Sequence, residues 1–263
     1  MNVRRSALAL LIGLFASGFD TPPDKEAVVF VITAADQQHL ANGKRRGTGY
    51  FLNEFFYAYE AVIDAGYQAL IATPDGRSAT VDPEGLDAEY WSKPGDLERA
   101  LATAETLEGF QSPLTLEDAL ERADTLAGLV VPGGQGVMVD LLDDPVLHEL
   151  IGEVGGAGKP VGLICHAPAI LTRLPAASNP FAGFEVTSVS RLEELYIERI
   201  VMGGRAETRR IGKQLSRGGY RYDGAAPKAN HAVRDRNLVT SQNPFSGAAF
   251  SEAYLEALAS SAR

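Results

Sequence analysis

The chain has 263 residues, which at roughly 150 residues per domain allows one large domain or two small ones. With 24 basic and 34 acidic residues its formal net charge is −10, which argues against nucleic-acid binding and against a polybasic membrane-surface protein. Apolar residues make up 45% and charged residues 22%, the balance of a soluble globular fold. A single Cys excludes an internal disulfide framework and a multi-Cys zinc site, and the 4 His show no metal-binding spacing. We therefore expect neither a metal nor a cofactor.

The N-terminal residues 1–18 have the composition of a secretory signal. Two arginines precede an apolar run at residues 7–16, and the small residues Ser17 and Gly18 follow it. The run is shorter than the about 20 residues that a membrane-spanning helix needs. We predict that residues 1–18 are a signal peptide and that the protein is exported to the periplasm, with no membrane attachment after cleavage. The alternatives are an uncleaved anchor and an ordinary N-terminal segment. Residues 19–263 are predicted to form a single domain.

Apolar runs alternate with helical patterns along the rest of the chain. Residues 27–33 (AVVFVIT) show no polar alternation, which predicts a strand buried on both faces, as in a parallel sheet. Further strands are predicted at residues 67–73, 126–131, 160–164, 184–189 and 237–241. Helices are predicted at residues 50–66, 145–155, most of 191–217, and 244–259, with a polar excursion of short helices at 77–115. This order predicts a doubly wound, mostly parallel α/β fold of the flavodoxin-like class, with helices on both faces of the sheet.

A cysteine stands at the end of one predicted strand. Residues 161–169 read VGLICHAPA, so the buried run stops at Cys165, between the small residues Gly162 and Ala167. Small residues at these places fit a sharp strand-to-helix turn that exposes a nucleophile. A helix N-terminus lowers the pKa of a nearby thiol, and His166 is placed to support a thiolate or to move protons. The alternative is that Cys165 is a small core residue and His166 a satisfied buried polar group.

A glycine-rich turn follows another predicted strand. Residues 132–136 read PGGQG, and we call this segment the glycine loop. Because glycine lets backbone N–H groups approach a ligand closely, Gly133, Gly134, Gln135 and Gly136 are predicted to form an oxyanion or substrate-binding loop. The loop matches neither a Walker phosphate loop nor the dinucleotide fingerprint. The alternative is an ordinary tight turn.

Glu54 lies among aromatic residues in the segment 49–56 (GYFLNEFF). Burying an ionised carboxylate in such surroundings is unfavourable. We therefore predict a protonated Glu54 with a raised pKa that donates a hydrogen bond to the thiolate. The alternative is a helix residue that faces solvent, the usual place for glutamate.

Together these segments resemble the ThiJ/PfpI superfamily, which has a class I glutamine amidotransferase-like fold. The resemblance runs from about residue 27 to residue 258, and the Glu54 segment, the glycine loop, residues 164–168 and residues 237–244 carry it. The long excursion after Gly76 is similar to the chaperone-like branch of the superfamily. That branch implies a cofactor-independent glyoxalase III activity (a lyase, D-lactate dehydratase) that converts methylglyoxal into lactate, together with deglycase and holdase activities.

The resemblance also implies a catalytic triad in which a downstream carboxylate completes Cys165 and His166. Residues 187–194 (TSVSRLEE) resemble the segment that carries it, so either Glu193 or Glu194 is the predicted acid. The chain departs from the branch at Gln135, where a His is usual, and at Ala167, where a Gly is usual. Relatives of this kind are commonly dimers, which implies a homodimer, although no residue here fixes an interface.

The sequence thus predicts an enzyme that acts on a small reactive aldehyde. In this interpretation Cys165 adds to the aldehyde as a thiolate tuned by Glu54. His166, oriented by Glu193 or Glu194, moves a proton between the two former carbonyl carbons. The alternatives are an envelope stress holdase, a redox sensor acting through Cys165, and a Cys-dependent hydrolase of another small substrate. Glutaminase activity is not expected, because the downstream His-x-Glu pair of that class is missing.

Overall fold

A six-stranded sheet forms the centre of the computed structural model, which describes residues 26–261. In chain order the strands of the structure are β1 (Ala27–Val31), β2 (Gln37–His39), β3 (Arg45–Gly47), β4 (Gln68–Ala72), β5 (Leu126–Val131), β6 (Val161–Ile164), β7 (Glu185–Val186), β8 (Arg221–Tyr222), β9 (Ala232–Asp235) and β10 (Leu238–Ser241). The central sheet has the order β4-β1-β5-β6-β10-β9, and every pair in it is parallel except β10 with β9. The predicted signal peptide lies outside the described residues.

Helices cover this sheet. They are α1 (Leu52–Asp64), α2 (Asp96–Thr106), α3 (Glu108–Gln111), α4 (Leu116–Leu120), α5 (Pro145–Gly156), α6 (Arg191–Tyr196), α7 (Ile211–Arg217) and α8 (Gly247–Ser261). Helix α1 packs on α8, and α4 packs on α5. The close approach of α8 to the sheet depends on Gly162, where a Cβ would lie 2.6 Å from the ring of Phe250. This arrangement confirms the predicted mostly parallel, flavodoxin-like class.

The buried parallel strands define the edge of the sheet at which a functional site is expected. Residues 28–31 of β1 are completely inaccessible to solvent, as expected for a strand with parallel neighbours on both sides and helices on both faces. Because β1, β5 and β6 are parallel, their carboxyl ends meet at one edge. In open α/β sheets this edge is where ligands bind.

The structure differs from the sequence-based prediction in several places, among them the short strands β2, β3 and β8, which were not predicted. The strand predicted at 184–189 shrinks to β7, which pairs with β8 outside the central sheet. Its flanking N–H groups bond to side chains instead, that of Glu185 to Asp235 (2.9 Å) and that of Thr187 to Thr240 (2.8 Å). The predicted helix 191–217 divides into α6, one wide π-type turn and α7, and Gly203, whose φ of 60° does not fit a continuous helix, lies between the turn and α7. The antiparallel edge strand β9 was not predicted, since its sequence AVRD is half polar.

None of the helices within residues 26–261 is long and apolar enough to cross a bilayer.

Candidate active site

Cys165 follows β6 directly and adopts a left-handed backbone conformation with a φ of 59°. Its N–H donates to the Ser241 carbonyl (2.8 Å) and its carbonyl accepts from the Val189 N–H (2.9 Å). Two neighbouring segments therefore hold the backbone in a conformation that non-glycine residues rarely adopt. A 3₁₀ helix, Ala167–Thr172, begins two residues later. This is the sharp strand-to-helix turn that the small residues around Cys165 predicted.

Glu54 reaches Cys165 from the first turn of α1. Its Oε2 accepts the N–H of Gly133 at 2.8 Å, whereas Oε1 is buried with no hydrogen-bond partner. Burial is the largest influence and raises the pKa of Glu54 to about 8, although the hydrogen bond from Gly133 and the interaction with the Cys165 side chain oppose the shift. Glu54 is therefore mostly protonated at neutral pH, as the aromatic segment predicted.

The glycine loop fits this contact only because Gly133 and Gly134 lack side chains. A Cβ at Gly133 would lie 2.7 Å from Glu54 Oε2 and 2.8 Å from Cys165 Cβ, both shorter than real contacts allow. Gly134 has a φ of 102°, and a Cβ there would lie 2.5 Å from the Gly49 carbonyl. Gly136 donates to that same carbonyl at 3.3 Å. Gly133 thus lets the carboxyl and the thiol meet, and Gly136 helps to anchor the loop.

His166 lies between Cys165 and two glutamines. Its Nδ1 is 3.2 Å from Cys165 Sγ, and its Nε2 is 2.9 Å from Gln135 Nε2. The Gln135 Oε1 accepts from Gln38 Nε2 at 3.0 Å, so the Gln135 amide presents its NH₂ group to the ring. An NH₂ group donates, so His166 Nε2 accepts and the ring proton resides on Nδ1, facing the sulfur. Burial, with a contribution from Arg46, lowers the pKa of His166 to about 4, which keeps the ring neutral.

Neither predicted triad carboxylate contacts His166 in the described structure. Glu193 forms a capping box with Ser190 at the start of α6, and its carboxylate also accepts from Lys228 N, Gln242 Nε2 and Asn243 Nδ2. Glu194 instead accepts from the Ile211 N–H (3.1 Å) and pairs with Arg191 (3.0 Å). The resemblance implies an acidic residue beside the imidazole, but Gln135 occupies that position. The expected orienting role of Glu193 or Glu194 is therefore not what this geometry provides.

A cavity of about 380 Å³ opens above the sulfur. Of the predicted site residues, it is lined by Cys165, His166, Gly134, Gln135 and Glu193. The remaining wall is formed by Phe51, Asp82, Glu84, Tyr90, Val189, Leu192, Tyr196, Ile197, Pro227, Lys228, Asn243, Pro244 and Phe245. The thiol itself is only 4% exposed. Burial and the carboxyl groups of Glu54 and Glu193 raise the Cys165 pKa well above its usual value, so the free thiol is protonated at neutral pH.

Sequence reasoning missed several members of this site. Gln38 arrives on the β2–β3 hairpin, and no local pattern marks it. The role of Glu193 carries a readable signal, because Ser190 followed three residues later by Glu193 is the spacing of a capping box. Within residues 26–261, no group of three or more His, Cys, Asp or Glu side chains is arranged to hold a metal ion.

The site consists of a cysteine in the left-handed backbone conformation at the end of a parallel strand, beside a buried glutamate and the glycine loop. This arrangement defines the class of proteins that carry a nucleophile elbow on a flavodoxin-like sheet. The chain belongs to the DJ-1/PfpI family, whose pattern matches residues 48–257. No match is found among curated proteins.

Solved structures share this fold at low sequence identity. Rapid Encystment Protein 24 kDa from Francisella tularensis has a TM-score of 0.75 and 22% identity, covering 89% of this chain and 99% of its own. Glyoxalase III from Candida albicans has a TM-score of 0.72 and 21% identity, covering 88% and 97% respectively. DJ-1beta from Drosophila melanogaster has a TM-score of 0.54 and 16% identity, covering 90% and 96%.

Proposed function

We propose that the protein is a cysteine-dependent, cofactor-independent enzyme of the glyoxalase III type, which converts a 2-oxoaldehyde into a 2-hydroxy acid. The observation that carries the proposal is the placement of the Cys165 thiol between Glu54 and His166 at the base of a cavity. The fold shared with glyoxalase III of Candida albicans supports the same choice. A possible deglycase activity would use the same thiol addition.

Glu54 is the base in this proposal. Its ionised form accepts the thiol proton of Cys165, the side chain with which it interacts. The thiolate then adds to the aldehyde carbon, and Glu54 returns the proton to the former aldehyde oxygen to give a hemithioacetal. His166 stabilises the thiolate by donating its Nδ1–H to the sulfur. This assignment moves the proton-transfer role from His166 to Glu54, because a neutral ring with its proton on Nδ1 has no free acceptor beside the sulfur.

The same carboxylate completes the reaction. Glu54 removes the proton from the former aldehyde carbon and returns it to the neighbouring ketone carbon, while the hydroxyl proton on the former aldehyde oxygen passes to the former ketone oxygen. One carbon is thereby oxidised and the other reduced without an external oxidant. The product is a thioester of the 2-hydroxy acid on Cys165. Water, deprotonated by Glu54, attacks the thioester, and the thiolate leaves. A general base that acts at each proton transfer contributes about 10²–10⁴-fold to the rate.

Backbone amides supply the oxyanion stabilisation. Gly134 and His166 both line the cavity, and neither donates its backbone N–H to another residue within 26–261. We assign these two N–H groups to the developing negative charge on the substrate oxygens. Backbone donors fixed in a water-poor site stabilise such charge without reorganising.

The test is consumption of methylglyoxal by the purified chain without glutathione, with Cys165→Ser as the comparison. We expect lactate of one stereochemistry from the unmodified chain and none from the variant, with unchanged circular dichroism. Turnover that persists in Cys165→Ser would refute the mechanism. Aggregation suppression that survives the substitution while neither chain turns over an oxoaldehyde would favour the holdase alternative.

The redox-sensor alternative has less support from the site. Oxidation of a cysteine follows its thiolate fraction and its exposure. Here the thiol is buried and its pKa is raised well above the usual value. Slow reaction of Cys165 with hydrogen peroxide at neutral pH is the result expected of the enzyme.

A further inference from the structure

The Cys165 cavity is larger than methylglyoxal requires. Its volume of about 380 Å³ lies within the range of roughly 300–1,000 Å³ that is typical of pockets for drug-sized ligands. Methylglyoxal carries a single methyl group beyond its two carbonyl carbons. Most of the space above the sulfur would therefore stay unfilled if methylglyoxal were the preferred substrate.

Aromatic side chains build the wall of this space. The rings of Phe51 and Tyr90 meet edge to face with centroids 5.0 Å apart, and Tyr90 contacts Phe245 at 5.5 Å. On the opposite side, α6 contributes Leu192 and Tyr196, which are 63% and 50% exposed. Apolar side chains left this open at the mouth of a cavity can gain contact area from an apolar ligand.

The charges of the wall oppose an anionic substrate. The lining holds three carboxylates, those of Asp82, Glu84 and Glu193, of which Asp82 is paired with Arg46 at 3.1 Å. Its one ammonium group, that of Lys228, is already paired with Glu89 and lies 5.2 Å from the Phe245 ring centroid. Since His166 is neutral, no cation in the described lining is left to receive a carboxylate or phosphate on the substrate.

We propose that the site takes 2-oxoaldehydes whose substituent is an uncharged hydrocarbon or aryl group, in preference to methylglyoxal and to oxoaldehydes that carry a carboxylate. The proposal rests on the proposed function and names its substrate class. The reaction adds one water and gives the 2-hydroxy acid of the longer chain. The carboxylate forms only at the reacting end, beside Cys165, and not against the aromatic wall.

The experiment compares three substrates of graded chemistry: methylglyoxal, 2-oxohexanal and 4,5-dioxopentanoate, whose side chain ends in a carboxylate. Each added methylene in a matching apolar pocket is worth about tenfold or more in kcat/KM. We expect 2-oxohexanal to exceed methylglyoxal by at least about tenfold, and 4,5-dioxopentanoate to fall below both. A kcat/KM for methylglyoxal equal to or above that of 2-oxohexanal overturns the substrate class while leaving the proposed function standing.

Three substitutions, two at Leu192 and one at Ile200, sharpen the test. Leu192→Ser should lower the ratio of kcat/KM for 2-oxohexanal over methylglyoxal. The matched control is Ile200→Ser, which replaces a residue 68% exposed that lies two turns further along and does not line the cavity. We expect no change in that ratio for the control. Leu192→Lys should raise kcat/KM for 4,5-dioxopentanoate by supplying the missing cation, and no rise would count against the charge argument.

A binding measurement separates this proposal from the proposed function. Acetophenone and acetone, which carry no aldehyde, are compared as protectants of Cys165 against iodoacetamide. If no oxoaldehyde is turned over but acetophenone protects and acetone does not, the apolar specificity is supported and the reaction is rejected. If neither ketone protects and no oxoaldehyde is turned over, both proposals fail.

Discussion

Two buried glutamates of this chain differ in the groups that surround their carboxylates. Glu54 is 3% exposed and Glu198 is 5% exposed. Glu198 lies between two arginines, with Arg209 bidentate at 2.5 and 2.6 Å and Arg191 at 3.8 Å. Glu54 receives a single backbone N–H and leaves one oxygen without a partner. A buried carboxylate neutralised by cations serves the fold, whereas one left without a cation holds its proton and is available for chemistry.

Replacing Glu54 should have the largest effect on activity. Glu54→Gln keeps the shape of the side chain but has no ionisable proton, so kcat/KM should fall by about 10²-fold or more. In the unmodified chain kcat/KM should rise with pH through about 8, as Glu54 ionises, and the residual activity of the variant should lack that rise. The pH profile of initial rates measures both effects. An unchanged profile in the variant would assign the base elsewhere.

Replacing Glu198 should give the opposite pattern. Glu198→Gln removes the charge that Arg209 and Arg191 contact, and because both arginines are partly exposed we expect a cost of about 1.5–3 kcal/mol, the worth of hydrogen bonds to a charged group. We expect a lower free energy of unfolding in urea and an unchanged kcat/KM per folded molecule. Loss of activity without loss of stability would contradict the assignment of Glu198 to the fold and of Glu54 to catalysis.

The pH dependence of stability sharpens the contrast further. Folded Glu54 keeps its proton up to about pH 8, whereas the unfolded chain releases it near the ordinary value of 4.5. Between these pH values the unfolded state binds fewer protons, so the free energy of unfolding falls by about 1.4 kcal/mol for each pH unit gained. The difference in stability between the unmodified chain and Glu54→Gln isolates this slope from other groups. A difference that does not vary between pH 4.5 and 8 would contradict the raised pKa.

The smallest expected effect concerns Gln135, a positioning residue. Gln135→Met removes the donor to His166 Nε2 at similar volume, and the net worth of one such hydrogen bond is about 0.5–1.5 kcal/mol, or up to about tenfold. Nitrogen-15 NMR of the ring should show His166 losing its single Nδ1–H form, together with a fall in kcat. The matched control is Gln37→Met, at the exposed neighbour of Gln38. An unchanged ring spectrum would show that Gln135 does not determine the tautomer of His166.

Much of the fold could be predicted because its strands are buried on both faces. The run 126–131 was predicted with the bounds that β5 has, since parallel neighbours demand continuous apolar residues. The same rule fails at 184–189, where the apolar residues face the core but side chains take the backbone hydrogen bonds. An apolar pattern in the sequence indicates which residues are buried. It does not indicate which groups form hydrogen bonds with their backbone N–H and C=O groups.

The candidate site was predictable only where backbone geometry leaves a trace in the sequence. Small residues marked the turn at Cys165, and glycines marked the loop that Glu54 touches. The partner of His166 could not be found in this way, because Gln135 and Gln38 are brought together by a hairpin rather than by spacing. The expected triad acid illustrates the same limit. Glu193 stands near the sulfur, but the N–H of its own helix cap, Ser190, and three donors from other segments fix its carboxylate away from the ring.

The left-handed backbone conformation of Cys165 favours activity at the expense of thermal stability. A non-glycine residue held there costs about 1–3 kcal/mol, and glycine at the same place would be free of that strain. Replacing Cys165 with glycine would relieve this backbone strain and at the same time remove the nucleophile, so the strain at this turn is tied to the presence of the sulfur.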